Sequence, residues 1–282
     1  MTESAGNPLS GYFRQPAIYV KLPSGGRWWP HDSLNLPTNQ DIPVYPMTAM
    51  DEINLRTPDA LINGQGVVNV IQSCCPNIRN AWQMPSVDTD FVLIAIRVAS
   101  YGQTMPIEST CTHCASKNEH EVNLEQVMNS IQTPVFDHPV EFKHLKIKLK
   151  PMDYQAQNQA SQIAFEEQKV MSLIDNADID PENKIENVSR SLEKMVEASI
   201  DTCASCTEFI ELPDGQRVNN TDHIKEFYKN VENDLVKHIQ KTIADYLEPA
   251  KIKPVSFECD NCNEIYSSQL TFDFANFFGK GF

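Results

Sequence analysis

Eight cysteines are the residues in this chain most able to do chemistry, and their spacing is regular. They read Cys74-Cys75, Cys111-Thr-His-Cys114, Cys203-Ala-Ser-Cys206 and Cys259-Asp-Asn-Cys262, which is three CxxC pairs and one vicinal pair. In a reducing compartment such spacing points to metal binding or thiol chemistry before disulfide formation. A tetrahedral zinc takes four thiolates at about 2.3 Å, and two CxxC turns facing each other supply them. Two pairs suffice, so their flanks decide which two. Cys111 and Cys259 each follow an extended segment, Met105-Pro-Ile-Glu-Ser and Val255-Ser-Phe-Glu, and each pair precedes another, Glu119-His-Glu-Val-Asn-Leu and Glu264-Ile-Tyr-Ser-Ser-Gln-Leu. Both read as hairpin knuckles. The expected ligands of one Zn2+ per chain are therefore Cys111, Cys114, Cys259 and Cys262. Four thiolates leave no open position for water, so this zinc is structural and not hydrolytic.

The remaining thiols read as packing residues. Cys203 and Cys206 end a helix-period stretch with Ile185, Val188, Leu192, Met195, Val196 and Ile200 on one face, and Ala-Ser between them is poor turn chemistry. Small, buried and apolar at a helix end is the reading for that pair, and also for Cys74-Cys75. A thioredoxin-type site needs its CxxC at the start of a helix after a βα turn, which no pair here has. His113 lies inside the first knuckle, but four cysteines leave it no vacancy; the other six histidines read as surface or ordinary structural residues. Phosphate-binding glycine loops, HExxH and GxSxG are missing from the sequence. Carboxylate pairs such as Glu119/Glu121 and Glu166/Glu167 read as solvated faces. No catalytic residue is expected, and no enzyme.

The elements that must position the knuckles form an α+β chain: a β-rich N-terminal part, two knuckle hairpins, and a helical C-terminal half. Expected divisions are a flexible arm over 1–10, a mixed region with the first knuckle over 11–137, a hairpin plus long helices over 138–250, and the second knuckle with a Phe-rich tail over 251–282. A strand is expected in the second half of Tyr12–Leu22, then a Pro23-Ser-Gly-Gly turn. Thr48 with Asp51 and Glu52 approximates a capping box. Short helices are expected over Pro58–Asn63, with Gly64 as stop, and over Gly66–Cys74; Asp88 is expected to cap a helix from Phe91 to Ser100, closed by Gly102. The apolar parity switches between Val140/Phe142 and Leu145/Ile147/Leu149, which predicts a tight hairpin near Lys143-His144. Periodicity predicts long helices over about 153–174, 184–202 and 221–247, the last from Phe227, Val231, Leu235, Ile239, Ile243 and Leu247.

Charge limits the partners. The 282 residues hold 38 acidic and 23 basic side chains, a formal charge of 23 − 38 = −15, and such a chain is repelled by phosphate. A zinc-ribbon nucleic-acid-binding accessory is the competing class, but Glu108, Glu119, Glu121, Glu258, Asp260 and Glu264 around the knuckles outweigh Lys117, Lys251 and Lys253. The longest clear apolar run, Phe91–Ile96, is far short of the ~20 residues that span a bilayer. The first thirty residues lack a basic n-region and an apolar h-region, so a cytoplasmic origin is expected. Neither nucleic acid, membrane nor small-molecule substrate is expected as a partner.

Several longer motifs carry a resemblance: Phe13-Arg-Gln-Pro-Ala-Ile-Tyr-Val-Lys-Leu-Pro-Ser-Gly-Gly, Pro46-Met-Thr-Ala-Met-Asp-Glu, Thr57-Pro-Asp-Ala-Leu-Ile-Asn-Gly, the Val122-Asn-Leu strand after the first knuckle, and Phe272-Asp-Phe-Ala-Asn-Phe-Phe-Gly. With these the chain resembles the T4-type bacteriophage baseplate proteins, the hub assembly proteins of contractile-tailed phages. Over 150–250 it shares only general helical character, and Cys203 and Cys206 fall outside the pattern. The resemblance implies a baseplate structural component or a chaperone for hub assembly, made in the host cytoplasm, binding other hub or wedge proteins, and without catalysis.

Five of the 13 phenylalanines fall in the last eleven residues, an aromatic area that soluble monomers rarely expose. Phe272 and Phe274 alternate like a core-facing strand. Phe277, Phe278 and Phe282, among loosening glycines, are the expected anchors for docking on a baseplate partner.

Overall fold

The computed structural model describes residues 7–56, 63–176, 181–270 and 277–278. Strand β1 (Ile18–Val20) pairs antiparallel with β2 (Ile42–Val44), Ile18 opposite Val44 and Val20 opposite Ile42. The Pro23-Ser-Gly-Gly turn follows β1, and helix α1 (Ala49–Arg56) follows β2. The capping box is present: Thr48 N donates to Asp51 Oδ2 at 2.8 Å while Asp51 N donates to Thr48 Oγ1 at 3.3 Å. The expected helix over 58–63 lies almost wholly outside the described residues. Gly64 does not end a described helix; it is the N-cap of α2 (Gln65–Cys74), with φ of 76°.

Helix α3 (Ser86–Tyr101) is apolar nearly all round, so it must be buried rather than lie on a surface. It forms the spine of a first core, where Val92, Leu93, Ile94, Ala95 and Ile96 pack with Val44, Val67, Val70 and Ile71. This helix begins five residues before Phe91, and Asp88 sits inside its first turn without capping it. The carboxylate instead points across the core: Oδ1 accepts from Ser24 N at 2.8 Å, and Oδ2 from Ser24 Oγ at 2.6 Å and Trp29 Nε1 at 2.8 Å. Asp88 thereby holds the Pro23–Trp29 turn, donors no local cap rule can anticipate. Burial raises its pKa to about 6, against the lowering by these hydrogen bonds.

Next come the hairpin β3 (Thr104–Thr110) and β4 (Lys117–Asn123), paired from Thr104/Asn123 to Thr110/Lys117, and helix α4 (Leu124–Ser130), whose N-cap Asn123 accepts from Gln126 N. Strands β5 (Val140–Phe142) and β6 (Leu145–Leu149) turn at Lys143, where φ is 53°, as the parity switch requires. They join β7 (Thr207–Glu211) and β8 (Arg217–Val218) in an antiparallel sheet of order β5-β6-β7-β8.

Helices α5 (Tyr154–Asn176) and α6 (Pro181–Ser205) form a hairpin pinned by Glu167, which accepts from Ser191 Oγ and, at 2.8 Å, from Lys194 Nζ. The expected helix over 221–247 is two, α7 (Thr221–Asn230) and α8 (Asn233–Leu247), broken at Val231-Glu232. The reason lies in its stripe. Steps of four residues advance about 400° around a helix of 3.6 residues per turn, so five such steps drift roughly 200° off the starting face. The break resets that drift, and Ile224, Tyr228, Leu235, Ile239 and Ile243 all reach a second core with Ile147, Leu149 and Ile210. The hairpin of β9 (Val255–Glu258) and β10 (Ile265–Ser268) closes the described chain, apart from Phe277 and Phe278.

Those two phenylalanines are not surface anchors here. They are 3% and 4% exposed, pack edge-on at 4.8 Å, and belong to the first core beside α3. Their aromatic area is covered by the chain itself, and Arg97 of α3 donates to the Phe277 carbonyl. Phe282, like Phe272 and Phe274, lies outside the described residues. Among the described residues no helix is long and apolar enough to cross a membrane.

Candidate metal centre

The two knuckles are built alike. In the first, Ala115 N donates to Cys111 O at 3.0 Å and Cys111 N to Ser116 O at 2.9 Å; in the second, Asn263 N donates to Cys259 O at 2.9 Å and Cys259 N to Glu264 O at 3.0 Å. Each turn reverses through one left-handed residue just after its second cysteine, Ala115 at φ 58° and Asn263 at φ 57°. Asparagine tolerates that conformation; alanine adopts it at a cost of about 1–2 kcal/mol. A residue spent on this turn is what aims both thiols of a knuckle to one side.

The two knuckles face each other, and the four sulfurs of Cys111, Cys114, Cys259 and Cys262 all lie within 4.8 Å of one another. Cys111 Sγ is 3.8 Å from Cys262 Sγ, and Cys114 Sγ is 3.6 Å from Cys259 Sγ. Tetrahedral thiolates at about 2.3 Å from a zinc would stand about 3.8 Å apart, whereas a disulfide would need about 2.05 Å. The arrangement fits a metal ion and not a cross-link. It joins positions separated by 145 residues in sequence.

Neighbouring polar groups support the thiolates. Ser116 Oγ lies 3.0 Å from Cys114 Sγ and 3.1 Å from Cys259 Sγ. Contact with this hydroxyl is the leading cause holding both thiols below the ordinary cysteine range, whereas Cys262 is pushed up to about 12, its backbone bond to Glu264 being outweighed by burial and by the three neighbouring thiols. His113 takes part only through its backbone, donating N–H to Cys111 Sγ at 3.4 Å, and is otherwise exposed. Asn118 of β4 spans the knuckles: its Oδ1 accepts from Asp260 N at 3.0 Å, and its Nδ2 donates to Ser116 O at 3.1 Å. Below the cluster, His120 stacks on Phe257 at 4.4 Å and 1°, with its Nε2 3.0 Å from Tyr266 Oη; that oxygen is 2.6 Å from Ser109 Oγ. Polar bonds thus weld the β3-β4 hairpin to the β9-β10 hairpin, independently of any metal.

Sequence spacing selects the four cysteines and misses their supports. Asn118, Ser116 and Tyr266 have no local signature, and His120 reads as an ordinary residue until Phe257 is brought under its ring. Cys203 and Cys206 are fully buried in the second core and take no part in the thiol cluster: burial pushes their thiols up to about 11 and about 12. Burial likewise pushes Cys74 up to about 12, and Cys75 still higher. Glu108, Glu119, Glu121, Glu258, Asp260 and Glu264 are all exposed around the knuckles, as a surface unsuited to phosphate would be.

No curated protein and no solved structure matches the chain. A family model does match, that of the T4 bacteriophage base plate protein, over residues 18–279. The matched span runs from β1 through both knuckles to the buried Phe277-Phe278 pair, so that the first core, the second core and the thiol cluster all fall inside it. The chain belongs to the T4 bacteriophage base plate protein family.

Proposed function

We propose that this chain is a structural or assembly component of the baseplate hub of a contractile phage tail. It acts through contacts with other hub or wedge proteins, and one structural zinc on Cys111, Cys114, Cys259 and Cys262 holds it together. Membership of a base plate family over residues 18–279 is the observation that carries this reading. The thiol cluster supports the zinc: its spacing suits a tetrahedral ion, and four thiolates complete that geometry. Closing a loop this long fixes the end of the first core's hairpin to the C-terminal hairpin, and structural zinc can contribute on the order of 10 kcal/mol to folding. A scaffold role follows, in the virion tail after assembly in the host cytoplasm, without catalysis. The exposed carboxylates around the knuckles weigh against the nucleic-acid-binding alternative.

Mass spectrometry of purified virions, run beside a pull-down from infected cells, tests the reading. The chain is expected in the particle at a fixed copy number, or on hub complexes before the tail is complete. Absence from both would overturn it, as would a salt-dependent mobility shift with DNA or RNA at low salt.

A further inference from the structure

Helix α5 opens with an unusual run: Gln155, Gln157, Asn158, Gln159 and Gln162 put five carboxamides into eight residues. The positions 155, 158, 159 and 162 recur at helical spacing and share one face. With Asn63 and Trp82, that face lines an open cavity of about 250 Å³. None of these lining residues is charged, although 22% of the chain is.

The walls are held in place. Gly64 adopts φ of 76°, and a Cβ there would come within 2.9 Å of the Asn158 carboxamide. Its absence lets Asn158 dock against the turn, where its Nδ2 donates to Asn63 O at 3.1 Å. The Trp82 indole stacks on Tyr154 at 5.6 Å and 29°, so one of its faces is fixed on the core while the residue stays partly exposed. Gln155 and Gln159 are exposed at the rim.

We propose that this pocket binds a neutral saccharide. The exposed carboxamides of Gln155 and Gln159 each offer an acceptor oxygen and two donor hydrogens, and Asn158 keeps its oxygen and one hydrogen beyond its bond to Asn63, which suits hydroxyls that both give and accept. An indole suits the apolar face of a sugar ring. A charged ligand would find no counter-charge among the lining residues, and an apolar ligand would strip water from the exposed Gln155 and Gln159 carboxamides without replacing its hydrogen bonds. An extended peptide needs main-chain partners along a strand edge, whereas the main-chain groups of this wall are used inside a helix. The site is remote from the thiol cluster in sequence and shares no residue with it.

The test uses the full, metal-loaded chain titrated with maltotetraose, cellotetraose and chitotetraose by calorimetry and saturation-transfer NMR. At least one is expected to bind with Kd of about 1 mM or tighter. The double variant Gln155→Ala/Gln159→Ala, at two exposed positions, is expected to weaken that binding by about tenfold or more with an unchanged melting temperature. Trp82→Phe, which keeps a ring on Tyr154, is expected to weaken it as well. No binding by any of the three, binding unaffected by the double variant, or a neutral alanine tetrapeptide binding in their place would overturn the proposal. None of these outcomes bears on whether the chain is found in the virion.

Discussion

The guanidinium of Arg97, in the middle of the first core's central helix, donates from Nε to the carbonyl of Phe277 at 2.9 Å across 180 residues of chain. Its carbon also lies 4.5 Å from the ring centroid of Tyr101. Both arginine and acceptor are buried, so the C-terminal phenylalanines are part of the fold's interior. A chain truncated after Asn276 loses two buried aromatic side chains and leaves that arginine without its acceptor. Thermal melts should show a strongly destabilised or aggregating protein, and Phe278→Ala alone should cost about 3–5 kcal/mol in denaturant titration. A truncated chain with an unchanged melting temperature would return these residues to the surface.

Asn118 stitches one knuckle to the other, and Asn118→Ala should leave Asp260 N without its partner, while Ser116 O loses one of two donors and keeps Cys111 N. The expected cost is about 1–3 kcal/mol, with metal bound less tightly, as read by competition with a chromogenic chelator.

Ala115 and Asn263 occupy the same left-handed position in the two knuckles. Ala115→Gly relieves the strained alanine and should raise stability by up to about 1 kcal/mol, whereas Asn263→Val should lower it by about the cost of a left-handed residue, 1–2 kcal/mol. Chemical denaturation of the metal-loaded chain measures both.

Asp88 makes stability depend on pH. Its folded pKa of about 6 lies above the ordinary 3.8, because burial outweighs three hydrogen bonds. Between those values the folded state holds the proton more firmly than the unfolded state does. The contribution is therefore complete below about pH 4, falls as pH rises, and levels off above about pH 6, by about 3 kcal/mol at most. Asp88→Asn should abolish this component, so wild-type stability minus variant stability should fall as pH rises across that window. A flat difference would mean that Asp88 titrates normally.

Buried thiols should be chemically silent. Cys74, Cys75, Cys203 and Cys206 stay protonated near neutrality because burial raises them all, and thiolate is the reactive form. Maleimide labelling of the folded, metal-loaded protein should modify none of them; rapid labelling at Cys203 or Cys206 would revive a thiol-based activity.

What could be read from the sequence follows from the range of each interaction. CxxC spacing fixes a turn within four residues, and parity fixes a hairpin within ten, so the four-cysteine cluster and the β5-β6 turn are legible. Asp88 looked like a helix cap because caps are local, but its donors lie on Ser24 and Trp29, more than fifty positions back. The stripe from Phe227 to Leu247 reads as one helix because a spacing of four seems helical at every step; only its accumulated drift, set against a fixed core, requires the break. Phe277 and Phe278 looked adhesive because nothing near them in sequence could cover them, and the cover is α3.

Native mass spectrometry of the purified chain beside its Cys262→Ser and Cys203→Ser variants tests the central claim most directly. One zinc per chain is predicted for the wild type and for Cys203→Ser, with zinc lost and the melting temperature lowered in Cys262→Ser. A metal-free wild type that melts no lower, or zinc retained in Cys262→Ser and lost in Cys203→Ser, would contradict the account.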